Sequence, residues 1–283
     1  MKSKALRNLR FILVLFLISF AFSQFPQAGV YAQGLEKQAV KQECKFVKII
    51  PHFQREKDIT KNGFHIDLFG TGELDFTKDK NLKYATLSLA PDPTGEYNAA
   101  RITEVDTSIP PEDRLKCWQP TAKKDVLVEY TVRFGQAENP GLTENLILWN
   151  APIGEQQALP FTLFGVTRNM LFPGYVAFVA QDFDFMSPSP TGVIQYKPLP
   201  NWLDPTDWHT VRIQLSQQRA DIAVSQGSHD FESVLNVDLP APVEPLAFEF
   251  SLDNEVVPGV FAPVFGQDSL DIQSLLIRYT NNK

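Results

Sequence analysis

The chain has 283 residues, 43% hydrophobic and 21% charged, with a formal net charge of −7. That length buries a sizeable core, in one large β domain or two small ones. The acidic balance argues against a partner that presents a phosphate backbone or an anionic membrane surface.

Lys2, Lys4, Arg7 and Arg10 precede an uninterrupted apolar run, FILVLFLISFAF (11–22), and VYA ends at Ala32. This is the layout of a secretory signal peptide cut after Ala32. The apolar run falls short of the ~20 residues that span a bilayer, and no second such run follows. The expectation is export to a secreted, periplasmic or cell-surface location without membrane insertion, with residues 33–283 as one domain. Cleavage takes four positive charges from a chain of −7 and leaves −11.

LEKQAVKQE (35–43) is the only plausible helical stretch, and it is weak. Cys44 and Cys117 are the two cysteines, and in an oxidising compartment they most simply form one disulfide. Closing a loop of this length stabilises a fold by roughly 4 kcal/mol through restriction of the unfolded chain, less any strain. Zinc is the weaker reading, because no CxxC or HExxH occurs and His52, His65, His209 and His229 are scattered.

Short alternating segments dominate the rest. In DVLVEYTVRF (125–134), Val126, Val128, Tyr130, Val132 and Phe134 share one face, which predicts a strand with that face in a core. NLILWN (145–150) and YVAFVAQDFDF (175–185) are more continuously apolar, as in strands covered on both sides. In WHTVRIQLS and ADIAVS, Val211, Ile213, Leu215, Ile222 and Val224 point inward, with QQRA as the turn of a hairpin. Trp208 is expected to close the end of the core and His209 to face water. In PLAFEFSLD (245–253), Leu246, Phe248, Phe250 and Leu252 alternate with Ala247, Glu249, Ser251 and Asp253. LDIQSLLIRYT (270–280) slips phase near Gln273–Ser274, where a β-bulge is expected. Many strands, Pro/Gly turns and almost no helix predict a two-sheet antiparallel β-sandwich or a barrel.

The run DWHTVRI, a polar turn and ADIAV, together with the C-terminal DSLDIQSLLIRYT (268–280), resembles the concanavalin A-like lectin/glucanase jelly rolls, including laminin G modules. The resemblance covers roughly 140–280; for 45–135 it rests on strand pattern. It implies two curved antiparallel sheets, the concave one often forming a groove for glycans, and a last strand that returns near the N-terminal strand. Members divide into enzymes, lectins and interaction modules, so the residues decide.

The glycosidases of this group carry Glu-x-Asp-x-Glu, which puts carboxylates on one strand face within reach of one glycosidic bond. TEVDTSIPPED (103–113) supplies Glu104 and Asp106, with Ser108 in the third position. QDFDFMS (181–187) supplies Asp182 and Asp184, with Met186 third. ITEVDTS is also similar to the metal-holding run of legume-type lectins, but no Asn or His follows soon afterwards. Two carboxylates fall short of the six to eight oxygens calcium prefers, so structural calcium is unsupported and no cofactor is expected. The ligand-binding candidates are Trp149 with Asn145 on its strand face, Glu144 and Asn150 nearby, and Tyr196 and Trp202 in a Pro-rich stretch. These aromatics offer platforms for pyranose rings. The resulting reading is a non-catalytic glycan- or polysaccharide-binding protein. The alternatives are a glycoside hydrolase or polysaccharide lyase working in the groove, and an interaction or envelope-structural module.

Overall fold

Period-two alternation on nearly every segment leaves one architecture: two sheets packed face to face, with inward rows meeting in a shared core. The computed structural model describes residues 47–78, 82–105, 116–135, 142–150, 161–169, 172, 174–183, 192–257 and 260–281. These residues belong to one compact unit, Gln42–Lys283. The helical stretch expected at 35–43, the signal segment and Cys44 lie outside them.

One sheet runs β13 (His229–Asp238), β12 (Arg219–Gln226), β11 (His209–Ser216), β6 (Lys124–Phe134), β17 (Asp268–Asn281), β4 (Lys83–Leu89) and β3 (Gly72–Lys78), with β1 (Val47–Ile50) also paired to β17. The other runs β10 (Val193–Pro198), β9 (Tyr175–Phe183), β8 (Phe161–Arg168), β7 (Thr143–Trp149), β14 (Ala247–Asp253), β5 (Ala99–Thr103) and β2 (His65–Phe69). The pairings within both sheets are antiparallel. A small ribbon, β15 (Glu255–Val257) with β16 (Val260–Phe261), and one short helix, α1 (Glu56–Thr60), complete the described elements. Among the described residues no helix is long and apolar enough to cross a membrane.

The inward residues of β6 and β14 meet as expected. Tyr130 packs against Phe248 and Phe250 at 5.7 and 5.5 Å between ring centroids, and Phe53 reaches Phe250 at 6.3 Å. The buried Tyr130 hydroxyl donates to the Leu146 carbonyl at 3.0 Å, so this large ring enters the core without an orphaned polar atom. The phase slip in the last strand is a register shift between Ile272 and Ser274, and β17 does return to pair with β1. The β11–β12 hairpin turns over Gln217–Gln218, with Ser216 opposite Arg219, so Arg219 and Ala220 already belong to the strand. Helix α1 was not anticipated. Asp58 within it receives Arg55 and Lys61, an ion pairing contained within Arg55–Lys61.

The pair Trp208–His209 is oriented opposite to expectation. His209 stands opposite Val132 and is 1% exposed, its ring 5.4 Å from Phe134. Its Nδ1–H donates to the Asp207 carbonyl at 3.0 Å. Trp208 is half-buried on the outer surface, edge-on to Tyr84 at 5.3 Å and under Arg133 at 4.8 Å. The reason is parity: once Val211, Ile213 and Leu215 point inward, residue 209 must, and 208 must not.

Burial pushes the His209 imidazole below the ordinary histidine range. The stability it contributes is therefore present above the ordinary value of 6.5 and is lost as pH falls through the lower folded value. His209→Lys, which buries a charge, should cost several kcal/mol in chemical denaturation. Trp208→Gln should cost about 1–2 kcal/mol, from lost ring and cation–π contacts. Equal losses from the two substitutions would contradict these orientations.

Candidate functional site on the outward face of the seven-stranded sheet

Residues directly opposite in an antiparallel ladder share a face, so the pairing registers lay out the outward surface of this sheet in rows. The first row carries Ile194, Ala180, Leu163, Trp149 and Ala247. The second carries Tyr196, Phe178, Gly165, Ile147, Glu249, Thr103 and His65. The third carries Pro198, Val176, Thr167, Asn145, Ser251, Arg101 and Asp67. A fourth begins with Thr143 and Asp253.

This surface has two chemically different wings. Over β8–β10, Val176, Phe178, Ala180 and Phe183 form a hydrophobic cluster of their own, outside the sandwich core, joined by Phe161, Leu163 and Phe172. Tyr196 is 45% exposed and leans on Phe172 at 4.9 Å. Gly165 interrupts the row because a Cβ there would run into the Leu146 carbonyl oxygen. Over β7, β14 and β5 the surface is polar. Asn145 donates to Ser251 Oγ at 3.2 Å and accepts from Thr167 Oγ1 at 2.8 Å. The Arg101 guanidinium lies 3.6 Å from the Asp253 carboxylate and 5.5 Å from the Tyr97 ring centre.

Asn145 and Trp149 keep part of their surface open, whereas Glu249 and Asp253 are only 1% and 3% exposed. Burial raises the carboxyl of Glu249 above the usual range against the opposing pull of Arg101. Asp253 is pushed up to about 7 by the same desolvation, again opposed by Arg101. Three buried polar atoms here have no hydrogen-bond partner: Glu249 Oε2, Arg101 Nε and Trp149 Nε1. Buried polar atoms without a protein partner are ordinarily satisfied by water.

Of the expected binding residues, the structure therefore unites Trp149 and Asn145, with Tyr196 farther along the same face. Glu144 is a correction. Its parity turns it inward, where it is fully buried with Arg168, whose Nη1 lies 3.7 Å from Glu144 and 3.4 Å from Asp268. Trp202 is another: it stacks on His229 at 4.7 Å and donates to Glu232 at 3.0 Å, against β13 of the other sheet. Asn150 donates to Glu244 at 3.2 Å and accepts from the Thr162 amide.

The catalytic candidates fare differently. Glu104 faces the interior, paired with Lys48 and accepting from Trp118 Nε1 at 2.8 Å and the Phe248 amide at 2.7 Å. It is a structural tie, because every neighbour is a buried group that needs its charge. Asp182 sits at φ 51°, in the register shift where β8 and β9 lose step, so the strict alternation of β9 is broken at this residue. Asp106 and Asp184 lie outside the described residues. Among the described residues no group of three His, Cys, Asp or Glu side chains has the geometry to hold a metal ion. Sequence reasoning missed Arg101 and Asp253 as site residues and noted Glu249 only for its face. Their signal was the polar half of the alternation in 245–253.

No family model matches the chain, and no curated protein matches it. Among solved structures it is similar to the β-glucanase of Bacillus licheniformis, with a TM-score of 0.51 at 9% identity, covering 84% of this chain and 99% of that one. It is similar to the κ-carrageenase of Pseudoalteromonas carrageenovora, in complex with an oligotetrasaccharide of κ-carrageenan, with a TM-score of 0.50 at 10% identity, covering 88% and 100%. A legume lectin-like domain from Entamoeba histolytica gives 0.48 at 11%, covering 82% and 97%. The fold is the concanavalin A-like jelly roll. At these identities the likeness establishes the fold, and the chemistry has to come from the face itself.

The inward Glu144 carries its own test. Desolvation pushes its carboxyl up to about 8, with Asp268 reinforcing the shift and Arg168 opposing it. A raised folded value means that its stabilising contribution is complete below the ordinary 4.5 and is lost as pH rises through about 8. Thermal melting of the native chain should fall between pH 5 and pH 9, and Glu144→Gln should flatten that fall. A steeper fall in the variant would contradict the assignment.

Proposed function

We propose that the protein binds a polysaccharide or glycan on the outward face of the seven-stranded sheet. The observation that carries this reading is a partly open Trp149 on the same strand face as the partly open Asn145, two rows away, which is tied to Ser251 and Thr167. A sugar ring presents apolar C–H surface to an indole and hydroxyls to amides and alcohols, which is the chemistry this face offers. Two proteins of similar fold are a β-glucanase and a carrageenase bound to its saccharide, which is consistent with such a ligand.

Trp149→Ala should weaken binding of a soluble β-glucan or xylan by about tenfold or more, some 1.4 kcal/mol, and remove the ligand-induced change in tryptophan fluorescence. Unchanged affinity in the variant would sink the reading. Absence of any response across a broad glycan panel would leave an interaction module.

One observation favours hydrolysis as a second reading. Glu249 and Asp253 flank Ser251 on one strand face, and burial raises both carboxyls, that of Asp253 to about 7. A general acid needs that condition. Release of reducing ends from a neutral glycan by pure protein, abolished by Glu249→Gln, would establish it. Intact substrate after prolonged incubation would exclude it for that glycan.

We also propose export with cleavage after Ala32, and a disulfide between Cys44 and Cys117 in the exported protein. Mass spectrometry of the secreted, non-reduced protein should find Gln33 as its first residue and no free thiol. Two free thiols would overturn the pairing.

A further inference from the structure

We propose that this face selects an uncharged glycan, and that Glu249 and Asp253 impose the selection by occupying Arg101 and surrounding it with acidic groups. The inference rests on the glycan-binding reading and names the class of ligand within it.

An arginine is the residue that clamps sulfate or carboxylate in a planar, bidentate pair. Within the rows laid out above, Arg101 is the one arginine, and no lysine stands among them. It is not presented as a clamp. Its Nη2 is held toward Asp253 at 3.6 Å, its plane lies over Tyr97, and it is buried. Every element packed around it adds acid. Glu249 and Asp253 come from β14, Asp67 stands directly opposite Arg101 on β2, and Glu255 comes from the β15 ribbon. His65, one row away on β2, is the other basic side chain of the rows. A sulfate or uronate entering this wing would meet more negative charge than positive, across a poorly screened, partly buried surface.

A neutral chain faces no such barrier. Asn145, which keeps part of its surface open, offers an amide to its hydroxyls, and Trp149 leads into the apolar wing toward Tyr196. Charge neutrality within the site is supplied by the protein, leaving none for the ligand to supply.

The test compares affinities of the full chain at low ionic strength and pH 8.5, above the Asp253 value of about 7. The neutral probes are mixed-linkage β-glucan and xylan; the anionic probes are κ-carrageenan and polygalacturonate. The native protein should bind at least one neutral probe about tenfold more tightly than either anionic one. Asp253→Asn removes the carboxylate that Arg101 faces and should raise the ratio of anionic to neutral binding by about tenfold. Should that variant fail to fold, Glu249→Gln and a pH series on the native protein take its place, with anionic binding strengthening as pH falls from 8.5 to 6. Tighter native binding of an anionic probe, or anionic binding indifferent to these substitutions and to pH, overturns the selection and leaves glycan binding standing. No binding of any probe overturns both.

Discussion

The structure depends on one constraint: β14 must satisfy two interiors at once. Its inward residues, Phe248, Phe250 and Leu252, are fully buried in the inter-sheet core, as is Leu246 just before it. Its outward residues, Ala247, Glu249, Ser251 and Asp253, are buried as well. A central strand with β7 on one side and β5 on the other cannot turn or slip, because one residue of slip would drive carboxylates into the aromatic core. The polar half of the alternation is therefore held in place by the apolar half. Rigid strand positions rather than loops set the spacing of the proposed ligand groups.

Charge inside this sandwich is handled in two distinct ways. Glu104 is surrounded by Lys48 of β1, the Trp118 indole and the Phe248 amide, so its carboxylate is matched by a cation and two donors. Removing one partner of such a pair is costly even when the pair itself adds little net stability. Glu144, Glu249 and Asp253 are less fully matched, and desolvation dominates them instead. Glu144 is sealed between the sheets and can only affect stability. Glu249 and Asp253 stand on the outer side of the seven-stranded sheet, beside the face proposed to bind ligand.

Much of the fold was legible because burial follows period two: β6, β11, β12, β14 and the bulge of β17 can all be read from apolar alternation. The error at Trp208–His209 came from weighing residue type over parity. Tryptophan is the more apolar of the two, yet the strand it precedes had already assigned residue 209 to the core. Glu144 was misplaced for the same reason, as a neighbour in sequence of Asn145 but on the opposite face. The site was harder to read. Carboxylate runs such as Glu104–Asp106 and Asp182–Asp184 draw attention because they are local, whereas Arg101 reaches Asp253 only through the β5–β14 register, 152 positions apart in the numbering. Cross-strand proximity is set by pairing between distant segments, and no local pattern encodes it.

The central claim is that ligand meets the outward face of the seven-stranded sheet. The most direct measurement is an NMR titration of labelled protein with a neutral β-glucan oligosaccharide, following side-chain signals of the indoles and amides. The account predicts that the Trp149 indole and Asn145 amide signals move first and saturate together, with Trp208 unmoved. Saturating shifts at Trp208, on the outer surface of the eight-stranded sheet beside Tyr84 and Arg133, with Trp149 and Asn145 unchanged, would contradict it.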